Sequence, residues 1–202
     1  MLKLHSLYEI DMLTRRQTLN PTDKTALHTS LSRRLDIVGS YLPDKQYLLA
    51  IRRAVMDINS SVFNDDDKSQ LWLQSARLAR KGNRTEVAYN AILNALQLGD
   101  ESAKIEQSRL LWKSDERRKA IQSLEGAILS DAFAARSVQE SASMQAINAT
   151  AANGAIQPEQ NILVAKANLL LAKWLDKAGQ TQSSAINEKY QYAVRSLSLI
   201  HI

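Results

Sequence analysis

The sequence predicts an all-α fold, a TPR/HEAT-like α-solenoid made of helical hairpins, on three observations. Only 6 Gly and 3 Pro occur in 202 residues, too few turn-formers for a sandwich or barrel. Apolar residues make up 45% of the chain and recur at helical rather than alternating spacing. Glycines and short polar breaks then punctuate those stretches at helix-length intervals.

Residues 2–16 read as a first helix, with Leu4, Leu7, Tyr8 and Met12 recurring at helical spacing. Asn20-Pro21 interrupts it, because the residue before proline is pushed out of the helical region. A second helix, 23–38, places Leu27, Leu31, Arg34, Leu35 and Val38 on one stripe and stops at Gly39. Pro43 opens a third helix at a first-turn position, where its missing N–H costs nothing. Tyr47, Leu48, Ile51, Ala54, Val55 and Ile58 form its expected buried side. The acidic run Asn64–Asp67 suits the positive end of a helix dipole and starts a helix to Lys81, with Leu71, Trp72, Ala76, Leu78 and Ala79 inward. Gly82 ends it. A helix over 84–98 carries the stripe Ala88, Ala91, Ile92 and Ala95. Two more follow at 101–113 and 116–129, turning at Ser114-Asp115.

From Ser130 to Gln157 the composition shifts to Ala, Ser, Gln and Asn with few large apolar side chains. Such a segment cannot bury enough surface to offset its ordering, so a flexible low-complexity loop is expected over 130–157. Pro158 restarts order in a helix to 178, apolar almost all round through Ile162, Leu163, Leu169, Leu170, Leu171, Trp174 and Leu175. Gly179 ends it, and a last helix over 182–194 points Ile186, Tyr190, Ala193 and Val194 inward. A degenerate repeat runs through this array. Gly82 precedes Ala88 by six residues, Ser114 precedes Ala120, and Gly179 precedes Ala185. Each pair reads as a hairpin turn followed by a small residue at the closest approach of two helices. The first two units are 32 residues apart, near the tetratricopeptide period, although that family's consensus is absent.

The chain offers no catalytic, cofactor-binding or metal-ligating set. Its glycines (39, 82, 99, 126, 154, 179) are isolated, so no phosphate-binding glycine loop exists. His5, His28 and His201 are far apart in sequence, and there is no cysteine, which excludes disulfides and thiolate zinc sites and fits a reducing compartment. Asp65-Asp66-Asp67 could be a metal cluster but reads better as a cap and dipole complement. Trp72, Trp112 and Trp174 could anchor a ligand but, beside Leu and Ala, read as core. No apolar run nears 18 residues, so neither a membrane span nor a leader is expected. The net charge of +5 raises nucleic-acid binding. Yet the basic residues fall in scattered pairs among acids, and only Arg117-Arg118-Lys119 forms a string that could meet phosphate or an acidic partner.

With the helices placed, WLQSARLARK (72–81), AYNAILNA (88–95), LLWK (110–113) and AIQSLEGAI (120–128) resemble the FAT region of phosphatidylinositol-kinase-related protein kinases. KLHSLYEI from Lys3, DKQYLLAIRRA from Asp44 and LLLAKWLDKAGQTQ from Leu169 extend the likeness over residues 1–195, most like the fungal ATR-type DNA-damage checkpoint kinases. The tail 196–202 does not match the family, and the chain is expected to be a piece of a longer protein. The resemblance implies a non-catalytic scaffold of a nuclear serine/threonine protein kinase. It would contact the kinase domain, the remaining helical repeats and a recruiting partner subunit, with no membrane and no direct nucleic acid. ATP and Mg would belong to the kinase domain, which is not in this sequence, and no cofactor to this chain. Two alternatives stay open: a self-contained TPR-like interaction adaptor, which would show a polar capping helix, and a basic nucleic-acid-binding helical domain, which would bind duplex with steep salt dependence.

Overall fold

A computed structural model of the chain describes residues 2–15, 20–130, 133, 158–179 and 183–198. Among these every regular element is a helix: α1 (Leu2–Thr14), α2 (Pro21–Ile37), α3 (Leu42–Ile58), α4 (Asp65–Lys81), α5 (Thr85–Gln97), α6 (Ser102–Lys113), α7 (Arg117–Leu129), α8 (Pro158–Ala178) and α9 (Ser183–Ser198). The all-α, hairpin-built class that the sequence predicts is the observed one. The chain divides into two compact units, Met1–Ala103 and Lys104–Ile202.

Local sequence explains where each helix begins and ends. Pro21 and Pro43 sit in first turns, where no intrahelical N–H is needed. At α4 a capping box closes. The Asp67 N–H donates to Asn64 Oδ1 at 3.0 Å, and the Asn64 N–H donates to Asp67 Oδ2 at 3.0 Å. The Asp triplet therefore acts as a helix start, and its Asp67 carboxylate is also used by His28 Nε2 at 3.0 Å.

The helix ends of α4, α5 and α6 share one backbone motif. The N–H of Arg84 donates to Ala79 O at 2.9 Å, that of Asp100 to Ala95 O at 3.1 Å, and that of Glu116 to Leu111 O at 3.0 Å. In each case the preceding residue is left-handed: Asn83 (φ 57°), Gly99 (φ 78°) and Asp115 (φ 64°). These are Schellman caps, and Asn, Gly and Asp are the residues that tolerate that conformation best. They fall sixteen residues apart, half the 32-residue repeat. Gly82 is not left-handed. A Cβ on it would meet the terminal methyl of the half-buried Leu42, which would have to turn aside. After the two hairpin turns Ala88 and Ala120 are both fully buried, as the repeat requires. Ala185 is only half-buried, so the third unit is looser.

In the first unit α1 and α4 pack on α3, and α4 pairs with α5. Leu13, Leu27, Leu31, Leu35, Leu48, Leu49, Val55, Met56, Phe63 and Leu71 form its core. Of the apolar stripe read on α1, only Met12 packs against the core. Leu4, Leu7 and Tyr8 are 70%, 64% and 52% exposed, and the buried face is Ser6, Glu9 and Leu13. Glu9, which meets a buried arginine, shares that side with Leu13, and Leu2, Ile10 and Met12 also pack against the core. On α3 Tyr47, Ala54 and Ile58 likewise point outward, while Leu49, Arg52 and Met56 point in.

In the second unit α7 and α9 pack against α8. Ile105, Ala120, Leu124, Phe133, Ala167, Leu171, Trp174 and Leu175 make the core. On α8 Leu169 is exposed, and on α9 Val194 is exposed while Ala193 is buried. Of the segment expected to be a low-complexity loop, 130–157, only Ser130 and Phe133 lie within the described residues, and Phe133 is buried. No helix among the described residues is long and apolar enough to cross a membrane.

Candidate partner-binding surfaces

Two polar constellations stand out, one in each unit. In the first, Arg52 and Glu9 are buried to 1% and 0% exposure and form a forked pair, Nε to Oε2 at 2.8 Å and Nη2 to Oε1 at 2.7 Å. Arg52 Nη2 also donates to the Leu31 carbonyl at 2.9 Å, so a single guanidinium joins α1, α2 and α3. Arg34 adds a second cation: its Nε lies 3.6 Å from Glu9 Oε1, its Nη2 donates to His5 Nδ1 at 3.1 Å, and its guanidinium covers the Tyr8 ring at 4.1 Å. At 3.6 Å the Arg34 contact is charge attraction rather than a hydrogen bond, and Arg34 Nε is indeed a buried atom without an acceptor. This network sets the pose of α1. That pose turns Leu4, Leu7 and Tyr8 to the surface as an apolar strip.

Arg53, next along α3, lies over Trp72 at 4.0 Å and donates to Ser75 Oγ. Gln46 Nε2 donates to the Ser75 carbonyl at 2.9 Å. Burial pushes the Arg53 guanidinium below its ordinary value, and the charge of Asp57 works in the opposite direction. Asp100 ties the α5–α6 turn to α4. Its Oδ2 accepts from Ser69 Oγ at 3.1 Å, while its Oδ1 accepts from the Ser102 N–H at 3.0 Å.

The second unit carries a cleft of about 680 Å³ lined by Asp115, Glu116, Arg117, Arg118, Lys119, Ile121, Lys177 and Ala178. The basic string from the start of α7 thus meets a cation from the end of α8. Arg117 Nε lies 3.0 Å from Asp115 Oδ1, and Lys119 Nζ 2.5 Å from Glu116 Oε2. In the same unit Trp112 and Trp174 stack, with ring centroids 4.8 Å apart and planes 2° from parallel. The Arg117 guanidinium lies 5.6 Å from the Trp112 centroid. Trp174 is core, as expected, whereas Trp72 and Trp112 are half-buried rim residues held by an arginine or a second indole. His5 and His28 are drawn into separate contacts within the first unit, and His201 lies outside the described residues. Among the described residues no group of three or more His, Asp or Glu is placed to hold a metal.

Sequence reasoning missed the Glu9–Arg52 fork, whose partners are 43 residues apart, and the role of Lys177. A legible signal existed for the first: Arg52 interrupts the otherwise apolar set Leu48, Leu49, Val55 and Met56 on the inner face of α3.

The FAT domain family model matches residues 1–198. The chain belongs to the FAT domain family. Curated relatives are large kinases. The serine/threonine-protein kinase MEC1 of Kluyveromyces lactis is 33% identical over 60% of this chain and 5% of its own length. Protein kinase rad3 of Schizosaccharomyces pombe is 29% identical over 96% of this chain and 8% of its own length. The serine/threonine-protein kinase ATR of Arabidopsis thaliana is 29% identical over 78% of the chain and 6% of its own. The FAT chain therefore spans only 5–8% of the length of these relatives. The match runs to the end of α9 at Ser198.

Proposed function

We propose that this FAT chain is a non-catalytic scaffold segment of an ATR-like serine/threonine protein kinase acting in nuclear DNA-damage checkpoint signalling. The observation that carries the reading is the FAT match over residues 1–198 together with the likeness to the MEC1, rad3 and ATR kinases. Its mechanism is associative. Hairpins with buried Ala seams give stiff elements, and outward apolar side chains such as Leu4, Leu7 and Tyr8 supply area for the neighbouring repeats and kinase domain. A recruiting partner subunit would use further faces. ATP and Mg would act in the kinase domain, and this chain would hold neither. Direct nucleic-acid binding is not part of the reading, because several of the basic side chains already serve internal pairs, among them Arg15 with Asp11 and Arg52 with Glu9.

The test replaces the matched stretch of S. pombe rad3 with this chain, beside a variant in which the stretch is deleted. The replacement is expected to retain peptide phosphorylation and survival after ultraviolet damage, and the deletion to lose both. A deletion that keeps both activities would overturn the scaffold role. ATP-dependent labelling of a Ser/Thr peptide by the purified chain would overturn the non-catalytic one.

A further inference from the structure

The geometry points to a second role for the cleft of the second unit: we propose that it binds an acidic peptide segment of a protein partner. The proposal goes beyond the scaffold reading by naming a place and a chemistry of contact, and it can fail while that reading stands.

The charge balance of the cleft comes first. Arg117, Arg118, Lys119 and Lys177 face Asp115 and Glu116, leaving an excess of positive charge within about 680 Å³. The cations come from two elements, the start of α7 and the end of α8, so the patch is a product of the fold and not of one sequence run. Arg118 and Lys177 have no carboxylate partner among the described residues, and both are exposed. The two ion pairs present are also solvent-facing, with side-chain exposures of 58% and 81% for Arg117–Asp115 and 73% and 41% for Lys119–Glu116. Exposed pairs of this kind hold their partners weakly and exchange readily for another anion.

The placement also carries a local cost. The first turn of α7 holds no acidic residue and three consecutive cations, which oppose the positive end of the helix dipole. A bound carboxylate would relieve that repulsion. At the end of α8, by contrast, Lys177 sits where a cation is favoured, and it lines the same cleft.

A peptide fits this surface better than a compact polyanion or a duplex. Asp115 and Glu116 line the same cleft and would repel densely packed phosphates. An extended peptide can space its carboxylates to reach Arg118 and Lys177 and lay an apolar side chain on Ile121 and Ala178. The cations are confined to one cleft, whereas duplex binding draws on phosphates strung along a surface. The structure supplies a reporter as well. Arg117 lies over Trp112, which stacks on Trp174, so drawing Arg117 toward a ligand alters the indole environment.

The probe is a fluorescein-labelled peptide of about twelve residues with Glu at two positions in three and Leu at the third, titrated with the full chain at low salt and read by anisotropy. An unlabelled peptide of the same sequence is followed by tryptophan fluorescence. Saturable micromolar binding is expected, weakening at least tenfold in Arg118→Glu/Lys177→Glu. Both substituted sites are exposed, and the dipole gain from Arg118→Glu at the start of α7 offsets the loss from Lys177→Glu at the end of α8, so the thermal melt of the variant should stay close to the parent. Arg118→Gln/Lys177→Gln, which removes charge without reversing it, should give an intermediate loss. Equal peptide affinity for parent and both variants would overturn the proposal. So would a random-sequence DNA duplex that displaces the peptide at equal concentration, since that would mark a general polyanion surface. Because the rad3 replacement assay reads kinase output, its result does not depend on this one.

Discussion

Arg52→Met removes the cation that joins α1, α2 and α3 while keeping an unbranched side chain of similar reach. Glu9, at 0% exposure, would then keep only Arg34 at 3.6 Å and no guanidinium hydrogen bond. Breaking a buried pair from one side costs about 3–5 kcal/mol, because a desolvated charge is left behind. The unit spans roughly 100 residues, for which whole-domain stability is about 5–15 kcal/mol, so about a fifth or more of it is at stake. At about 4–8 °C per kcal/mol for a domain of this size, the melting temperature of that unit should fall by at least about 12 °C. The double change Glu9→Leu/Arg52→Met should recover most of the loss, since a well-packed apolar replacement of a buried pair is near neutral. The Leu31 carbonyl that Arg52 also contacts lies within α2 and keeps its helical partner. Urea titration would read this most cleanly in a Trp112→Phe/Trp174→Phe background. That leaves Trp72, in the first unit, as the sole indole of the three in the chain. Two singles each costing under about 1 kcal/mol, or a strictly additive double, would refute the claim that this fork sets the pose of α1.

Four further outcomes can be checked on the same chain. Asn64→Ala should cost about 1 kcal/mol by opening the capping box at α4, read by urea titration. Asp115→Gly should stabilise the α6–α7 hairpin by about 0.5–1 kcal/mol, since glycine accepts φ 64° without strain and the lost Arg117 pair is exposed; a lower melting temperature would contradict the turn geometry. Gly82→Ala should cost under about 1 kcal/mol, because only the terminal methyl of the half-buried Leu42 must turn aside; a loss of several kcal/mol in urea titration would contradict this. Trp174→Ala should cost about 3–5 kcal/mol as a buried aromatic is lost, whereas Trp112→Phe should cost much less and mainly change the near-ultraviolet dichroism of the stacked pair.

Helix existence was legible because periodicity and punctuation are local. Gly39, Gly99 and Gly179 do mark left-handed stops, and the Ala88–Ala95 stripe is buried as read. Helix rotation was legible only where hydrophobicity decides it. In α2 the leucines at 27, 31 and 35 decide it and the reading is right. In α1 two apolar strips compete, and the one that carries Glu9 turns inward, where its partner waits on α3. No single-helix pattern can show that, as the deciding residue is distant in sequence. The Arg117–Lys119 string was visible as charge, but its meeting with Lys177 needs α8 folded back beside α7. Two of the five left-handed turn positions among the described residues were hidden for another reason: Asn83 and Asp115 lack the glycine that advertises such a bend.

The sixteen-residue recurrence of those bends has a bearing on how such a chain can change over time. What keeps the helices in step is main-chain geometry at Asn83, Gly99 and Asp115, which many side chains elsewhere leave untouched. Adding one residue inside α5 would swing everything beyond it by about 100° and tear Ala95 out of line with Ala88. Substitutions can therefore accumulate freely on the helices while lengths stay rationed, and gains or losses of residues are tolerated chiefly at the bends themselves.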